Sequence, residues 1–304
     1  MNPLTHLKKT RILRNIFLSL GAIFALVTAA HAQNLYVSAN TPGSHKIFDF
    51  TPDGVQSIYA SGLDNPRGLA FDSIGSNLFA AHNPGAFVIR RPIVIGKVLK
   101  FNVRNHVSTV GSAAKFFFQD LAIDVAGNVY VMAQDLNSPT LASTIFKFTL
   151  SGERSVFGSV PGQSFGLAFD SAGNLFAADI FDATIYKFAP DGTRTVFAGP
   201  DAFAEDTGPV GLAFDSTGNL FVSTMGDPEN DTILEFTPDG MESTFAAGLT
   251  NPRGLAFDSS GYLFVAESNA PPDGDILKFA PDGTYTVFAS GFGRPEFLTF
   301  GPPR

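Results

Sequence analysis

The chain has 304 residues, no Cys, 44% hydrophobic residues, and 28 Asp and Glu against 20 Lys and Arg, a formal net charge of −8 at neutral pH. An acidic surface repels phosphate backbones and anionic bilayers, which excludes nucleic acid and membrane surfaces as partners. The missing Cys excludes disulfides, so stability has to come from packing alone.

At the N-terminus, Lys8, Lys9, Arg11 and Arg14 precede an apolar run from Ile16 to Ala30 that closes on Ala30-His31-Ala32. A basic start, an apolar centre and a small-x-small end are the three parts of a signal peptide, with cleavage expected after Ala32 and a secreted or periplasmic product. The run is short of the ~20 residues a membrane-spanning helix needs, and no later segment approaches that length. Residues 1–32 hold four of the 20 basic residues and none of the 28 acidic ones, leaving 33–304 with 16 against 28, a net charge of −12. A folded unit of ~270 residues buries about three-quarters of its unfolded surface, enough for stability without staples.

Beyond residue 32, one unit recurs. Gly68-Leu-Ala-Phe-Asp72 returns at Gly166, Gly211 and Gly254, and degenerates to Asp120-Leu-Ala-Ile-Asp124 and Phe297-Leu-Thr-Phe-Gly301. From Asp120 onward the starts lie 46, 45, 43 and 43 residues apart, the mark of a repeat array. In the unit beginning at Gly166, apolar runs at 166–170, 174–179, 184–189 and 193–198 are divided by turn residues and read as four short strands. Asp-Gly at 53–54, 191–192, 239–240 and 282–283 marks tight hairpins, because Gly accepts positive φ. Leu175 and Ala177 on one face and Phe176 and Ala178 on the other predict a sheet covered on both sides, as in a propeller blade.

The last unit stops after one strand, 297–300, and the three strands it lacks stand at the other end as 35–39, 46–50 and 55–60. Residues 297–304 and 33–67 together make 43 residues, one period. The expected fold is therefore an all-β, six-bladed β-propeller over 33–304 whose closing blade is shared between the chain ends, leaving no exposed sheet edge.

Units such as Asn251-Pro-Arg-Gly-Leu-Ala-Phe-Asp258 followed by Tyr262-Leu-Phe-Val-Ala266 resemble the NHL repeat family and the propeller superfamily of senescence marker protein and gluconolactonase, over essentially all of 33–304. Trp is absent, which disfavours the WD40 variant. The gluconolactonase resemblance implies a divalent metal at the channel mouth, held by carboxylates and by the Asn of a Pro-Asn-Gly before a strand. Here Arg67 and Arg253 stand in that place, in Pro-Arg-Gly. The virginiamycin B lyase propellers use a His and metal ligands on one face, and no motif for that activity occurs here.

Connections on one side of the ring are short and alike; those on the other vary, the longest running from His82 to Gly96. Variable loops on a rigid scaffold are where binding is expected. Two rings of positions should line the mouth on that side: Arg67, Gln119, Phe165, Val210, Arg253 and Glu296 before the first strands, and His82, Ala133, Asp179, Thr224, Glu267 and Ala39 at the ends of the second. From these, Arg67, His82, Gln119, Phe165, Asp179, Arg253, Glu267 and Glu296 are the candidate ligand-binding residues.

Three readings of the mouth stay open. It is a salt-bridged plug, with Arg253 on Glu267 and Arg67 on Glu296; an anion site in which the arginines take a carboxylate bidentately; or a metal site on Asp179, Glu267 and Glu296, although guanidinium offers a hard cation no oxygen. His82, beside Arg67 at the mouth, could be a general base or a ligand, the alternative being a surface residue; His45 and His106 lie near turns without matched partners, and no Ser/His/Asp set assembles. Phe165, Phe181, Phe203 and Phe292 fall at or near the same loops and could stack on a ligand. The 87–95 segment is either a lid or packing against a neighbouring blade. The function expected is a binding module, not an enzyme, for a small polar molecule, glycan or peptide, monomeric and without cofactor; the alternatives are a lactonase-like hydrolase dependent on a divalent cation such as Ca2+, and a non-catalytic envelope scaffold.

Overall fold

The computed structural model describes residues 33–41, 44–84, 94–226, 231–268, 274–291 and 293–302. The expected signal peptide, residues 87–93 of the 87–95 segment and Phe292 lie outside the described residues. In chain order the strands are β1 (Asn34–Thr41), β2 (Ser44–Phe50), β3 (Gln56–Ala60), β4 (Leu69–Phe71), β5 (Asn77–His82), β6 (Ile95–Asn102), β7 (Val107–Ala114), β8 (Phe116–Ile123), β9 (Val129–Asp135), β10 (Ser143–Phe148), β11 (Arg154–Val160) and β12 (Ser164–Phe169). They continue as β13 (Leu175–Asp179), β14 (Thr184–Phe188), β15 (Arg194–Ala198), β16 (Gly208–Phe214), β17 (Leu220–Met225), β18 (Thr232–Phe236), β19 (Glu242–Ala247), β20 (Pro252–Phe257), β21 (Leu263–Glu267), β22 (Asp275–Phe279), β23 (Tyr285–Ser290) and β24 (Pro295–Gly301). A single 3-10 turn, Pro200–Ala202, is the one helical element among the described residues, and no described helix is long and apolar enough to cross a membrane.

The strands form six four-stranded antiparallel sheets, a six-bladed β-propeller. Blades 1 to 5 begin at β4, β8, β12, β16 and β20, and blade 6 runs β24-β1-β2-β3, closing the ring with both ends of the chain. In that blade Leu35 faces Phe300 and Val37 faces Leu298 across the β1–β24 ladder.

Each second strand is apolar on both faces because it packs on both neighbours. Leu175 and Ala177 join a core cluster with Tyr130 and Met132 of blade 2, while Phe176 and Ala178 join one with Leu212 and Val222 of blade 4. The abundant Phe have a periodic task. An aromatic ring of the second strand is gripped edge-on by one from the fourth strand of its blade and one from the first strand of the next, as Phe176 is by Phe197 (5.1 Å) and Phe214 (5.0 Å). The same trio recurs around Tyr36, Tyr130, Phe221 and Phe264.

The Asp that ends the repeated motif folds the first turn. Asp170 Oδ1 accepts the amides of Ala172 (3.0 Å) and Asn174 (2.8 Å), and its Oδ2 accepts the Asn174 side chain (2.7 Å). Asp72 and Asp124 hold Asn77 and Asn128 in the same way. Gly at the head of the motif serves the axis: a Cβ on Gly211 would collide with the Arg253 carbonyl, and one on Gly254 would sit 2.7 Å from the Glu296 carbonyl.

Removing Phe297–Arg304 should unfold the whole ring, because Phe297 and Leu298 are buried and β1 loses its ladder to β24. At ~1.5 to 3 kcal/mol per buried large side chain, the loss approaches a domain's margin of about 5 to 15 kcal/mol. Thermal unfolding followed by circular dichroism checks this; a truncated chain melting at the full-length temperature would contradict the shared closure.

Candidate functional site

The first strands of all six blades meet at the axis around a narrow cavity of about 60 Å³ lined by Leu69, Asp120, Leu167, Gly211, Gly254 and Phe297 among others. Of the inner-ring residues expected before these strands, Arg67 does precede β4, whereas Gln119, Phe165, Val210, Arg253 and Glu296 lie within the first strands of their blades. Arg67 and Arg253 converge on one carboxylate, Glu296, whose Oε2 lies 2.6 Å from Arg67 Nη1 and 3.1 Å from Arg253 Nη1. Glu296 is buried, and the two arginine side chains are only 13% and 11% exposed. Each guanidinium also lies over a ring, Arg67 over Phe117 (5.4 Å) and Arg253 over Phe165 (5.8 Å).

The expected Arg67–Glu296 pair across the closure is present, whereas Arg253 pairs with Glu296 and not with Glu267. The reason is that Glu267 Oε1 accepts the backbone amide of Thr250 (2.6 Å) in the loop leading into β20. His82 does the same in blade 1, its Nδ1 accepting the Asp64 amide (3.2 Å). Asp179 accepts Gly162 (2.9 Å), Phe181 (3.1 Å) and Asp182 (3.3 Å). The ends of the second strands thus staple the incoming loops. Burial, the largest influence on each, raises the pKa of Asp179 and Glu267 and lowers that of His82.

Asp179, Glu267 and Glu296 are not brought together, and among the described residues no three of His, Cys, Asp or Glu group as a metal site. Gln119, buried, donates from Nε2 to Gln134 (2.9 Å) and leaves its Oε1 without a partner. Val210, Ala133, Thr224 and Ala39 are buried packing residues. Phe165 is buried under Arg253, Phe203 packs on Phe236 (6.3 Å), and Phe181 stands 71% exposed. His45 Nδ1 accepts the Asn65 amide (3.0 Å), and His106 is exposed.

Glu296 carries one negative charge against two guanidinium groups, and the Nε of both Arg67 and Arg253 are buried without an acceptor. Burial pulls the pKa of Arg253 down most; Glu296 opposes this, and the charges of Arg67 and Arg294 add to it. Arg294 is a mouth residue the sequence reading passed over. It stands before Pro295-Glu296 where Asn65 and Asn251 stand before Pro66-Arg67 and Pro252-Arg253, and that alignment was the available signal. At the axis the two guanidinium groups thus outnumber the one carboxylate they share.

Asp120 was also passed over. It takes the place of the motif Gly in blade 2, is buried at the axis, and its Oδ2 accepts the Leu167 amide (2.8 Å). Burial raises its pKa to about 7, with the Leu167 and Leu121 amides opposing.

No protein-family model matches the sequence, and no curated protein is significantly similar to it. Among solved structures, the chain is similar to TolB from Acinetobacter baumannii (TM-score 0.69, 12% identity, covering 90% of this chain and 67% of that one). It is also similar to the periplasmic gluconolactonase of Pseudomonas aeruginosa (0.60, 15%, 88% and 99%) and to virginiamycin B lyase from Staphylococcus aureus (0.54, 15%, 77% and 75%). These neighbours share the propeller fold and differ in function.

Glu296→Ala should destabilise more than Arg253→Ala, by about 3 to 5 kcal/mol against roughly 1 to 2, because it strands two buried cations while Arg253→Ala leaves Arg67 on the carboxylate. A denaturation double-mutant cycle should couple Arg253 to Glu296 and not to Glu267. Asp120 gives a pH signature. From about pH 4, where an unfolded Asp ionises, to about 7, the folded chain holds a proton the unfolded chain has released, so stability falls as pH rises. Across this window the loss should be roughly 2 to 4 kcal/mol, and Asp120→Asn should flatten the urea-denaturation profile.

Proposed function

We propose that this protein is an exported binding propeller of the NHL type whose mouth takes the carboxylate of a small polar molecule, an acidic glycan or a peptide. The observation that carries the reading is the sharing of Glu296 by Arg67 and Arg253, with both Nε atoms buried and lacking an acceptor. A carboxylate entering this cluster would meet unspent donors in the planar geometry that guanidinium groups recognise bidentately. Export is supported by the basic-then-apolar N-terminus, and the NHL assignment by the repeated Pro-Arg-Gly-Leu-Ala-Phe-Asp units. The alternative of a metal-dependent lactonase has the fold of the gluconolactonase neighbour in its favour. Against it, Asp179 and Glu267 are engaged by backbone amides and Glu296 by two arginines.

The test is calorimetric titration with glucuronate and with a tripeptide bearing a free C-terminus, against glucose and the amidated tripeptide. Only the carboxylated probes should bind, and Arg67→Ala or Arg253→Ala should weaken them roughly tenfold or more. Equal binding of the neutral probes, or no binding of any, would reject the anion site. A scaffold role would leave partner binding unchanged in both variants.

A further inference from the structure

Around the ring, the third strand sets one residue directly opposite the aromatic of the second strand. In four blades it is a Lys whose ammonium covers that ring: Lys100 over Phe79 (5.6 Å), Lys147 over Tyr130 (5.2 Å), Lys187 over Phe176 (5.3 Å) and Lys278 over Phe264 (5.3 Å). In blades 2 and 3 the same ammonium also reaches the turn aspartate, Lys147 to Asp124 at 3.9 Å and Lys187 to Asp170 at 3.8 Å. The repeat thus builds one chemical niche again and again, an aromatic face beside a carboxylate, and fills it with its own ammonium group.

Blade 4 keeps the niche and removes the occupant. Opposite Phe221 stands Glu235 in place of Lys. The turn changes with it: the Asn219 side chain, which elsewhere would hold the turn aspartate, donates to Glu235 Oε1 (2.7 Å), and Asp215 Oδ2 keeps the Thr217 hydroxyl (2.9 Å). Among the described residues neither Asp215 nor Glu235 has an ion-pair partner. A cavity of about 350 Å³ opens here between blades 4 and 5, walled by Phe221, Phe245 and Phe257 and by Asp215, Glu235 and Asp258. Blade 6 also lacks the Lys, but there Asp49 is buried and takes the Ser57 hydroxyl, so that niche is closed from within.

We propose that the blade 4 cavity binds a primary alkylammonium group, as a free alkylamine or as a lysine side chain of a polypeptide, in the place that an internal lysine occupies in four other blades. The aliphatic part would pack among the three phenylalanines and the ammonium would sit over Phe221 between Asp215 and Glu235. This site lies at the side of the blades that carries the repeated Asp-Ser turns and is independent of the arginine mouth.

The experiment titrates the full-length protein with n-butylammonium and with acetyl-Gly-Lys-Gly-amide, using butanol and the ε-acetylated peptide as uncharged controls. Charged probes should bind and uncharged ones should not; binding of the peptide alone assigns the site to polypeptides, and binding of butylammonium extends it to free amines. Glu235→Gln should weaken binding roughly tenfold. Glu235→Lys, which restores the pattern of the other blades, should abolish it and raise the melting temperature. Failure of both charged probes, equal binding of their controls, or undiminished binding to Glu235→Lys would overturn the proposal. If Glu235→Lys does not fold, undiminished binding to Glu235→Gln has the same force.

Discussion

The structure depends on the pairing of β24 with β1. Five blades are each complete, but a five-blade arc would expose apolar faces on β20–β23 at one end and on β4–β7 at the other, each with an unpaired neighbour. Setting residues 295–301 beside 34–41 fills that gap with one more sheet, and the hydrophobic layers then run unbroken around the ring. Closure fixes the site as well: Glu296 heads the closing strand, so the act that completes the ring brings its carboxylate to Arg67, 229 residues away in sequence.

Closure also fixes how close the first strands come at the axis. Gly at the head of the motif lets the backbone of the next blade approach to contact; in blade 6 the buried, apolar Phe297 replaces it, while a polar replacement has to find an axial hydrogen-bond partner. Asp120 does so by taking the Leu167 amide, at the cost of holding a carboxyl out of water. A ring that was uniform by repetition thus acquires one titratable group on its axis.

What could be read from the chain alone follows the range of the interactions. The turns were legible because Asp170 and Asn174 are four residues apart and carry their own geometry; the blade count followed from the period. Arg67–Glu296 was legible from the closure. Arg253 was assigned to Glu267 because both belong to one blade, but its partner lies at the head of the next, and Glu267 is drawn off by a backbone amide that no side-chain pattern announces. Asp120 read as a worn copy of the motif, since only the assembled axis shows what replaces Gly there.

The departures from the repeat carry the chemistry, and they do so by charge. Where the unit is kept in blades 2 and 3, the ammonium meets the turn carboxylate within the unit, Lys147 with Asp124 and Lys187 with Asp170. Where the unit is altered, the balance breaks locally: the mouth gains guanidinium groups beyond what Glu296 neutralises, and blade 4 loses an ammonium and gains a carboxylate. The scaffold holds both imbalances rigidly because six packed sheets leave the side chains little freedom to collapse onto each other. An excess of one sign, fixed in a partly desolvated place, favours a group of the opposite sign, and that is the physical basis of both proposals.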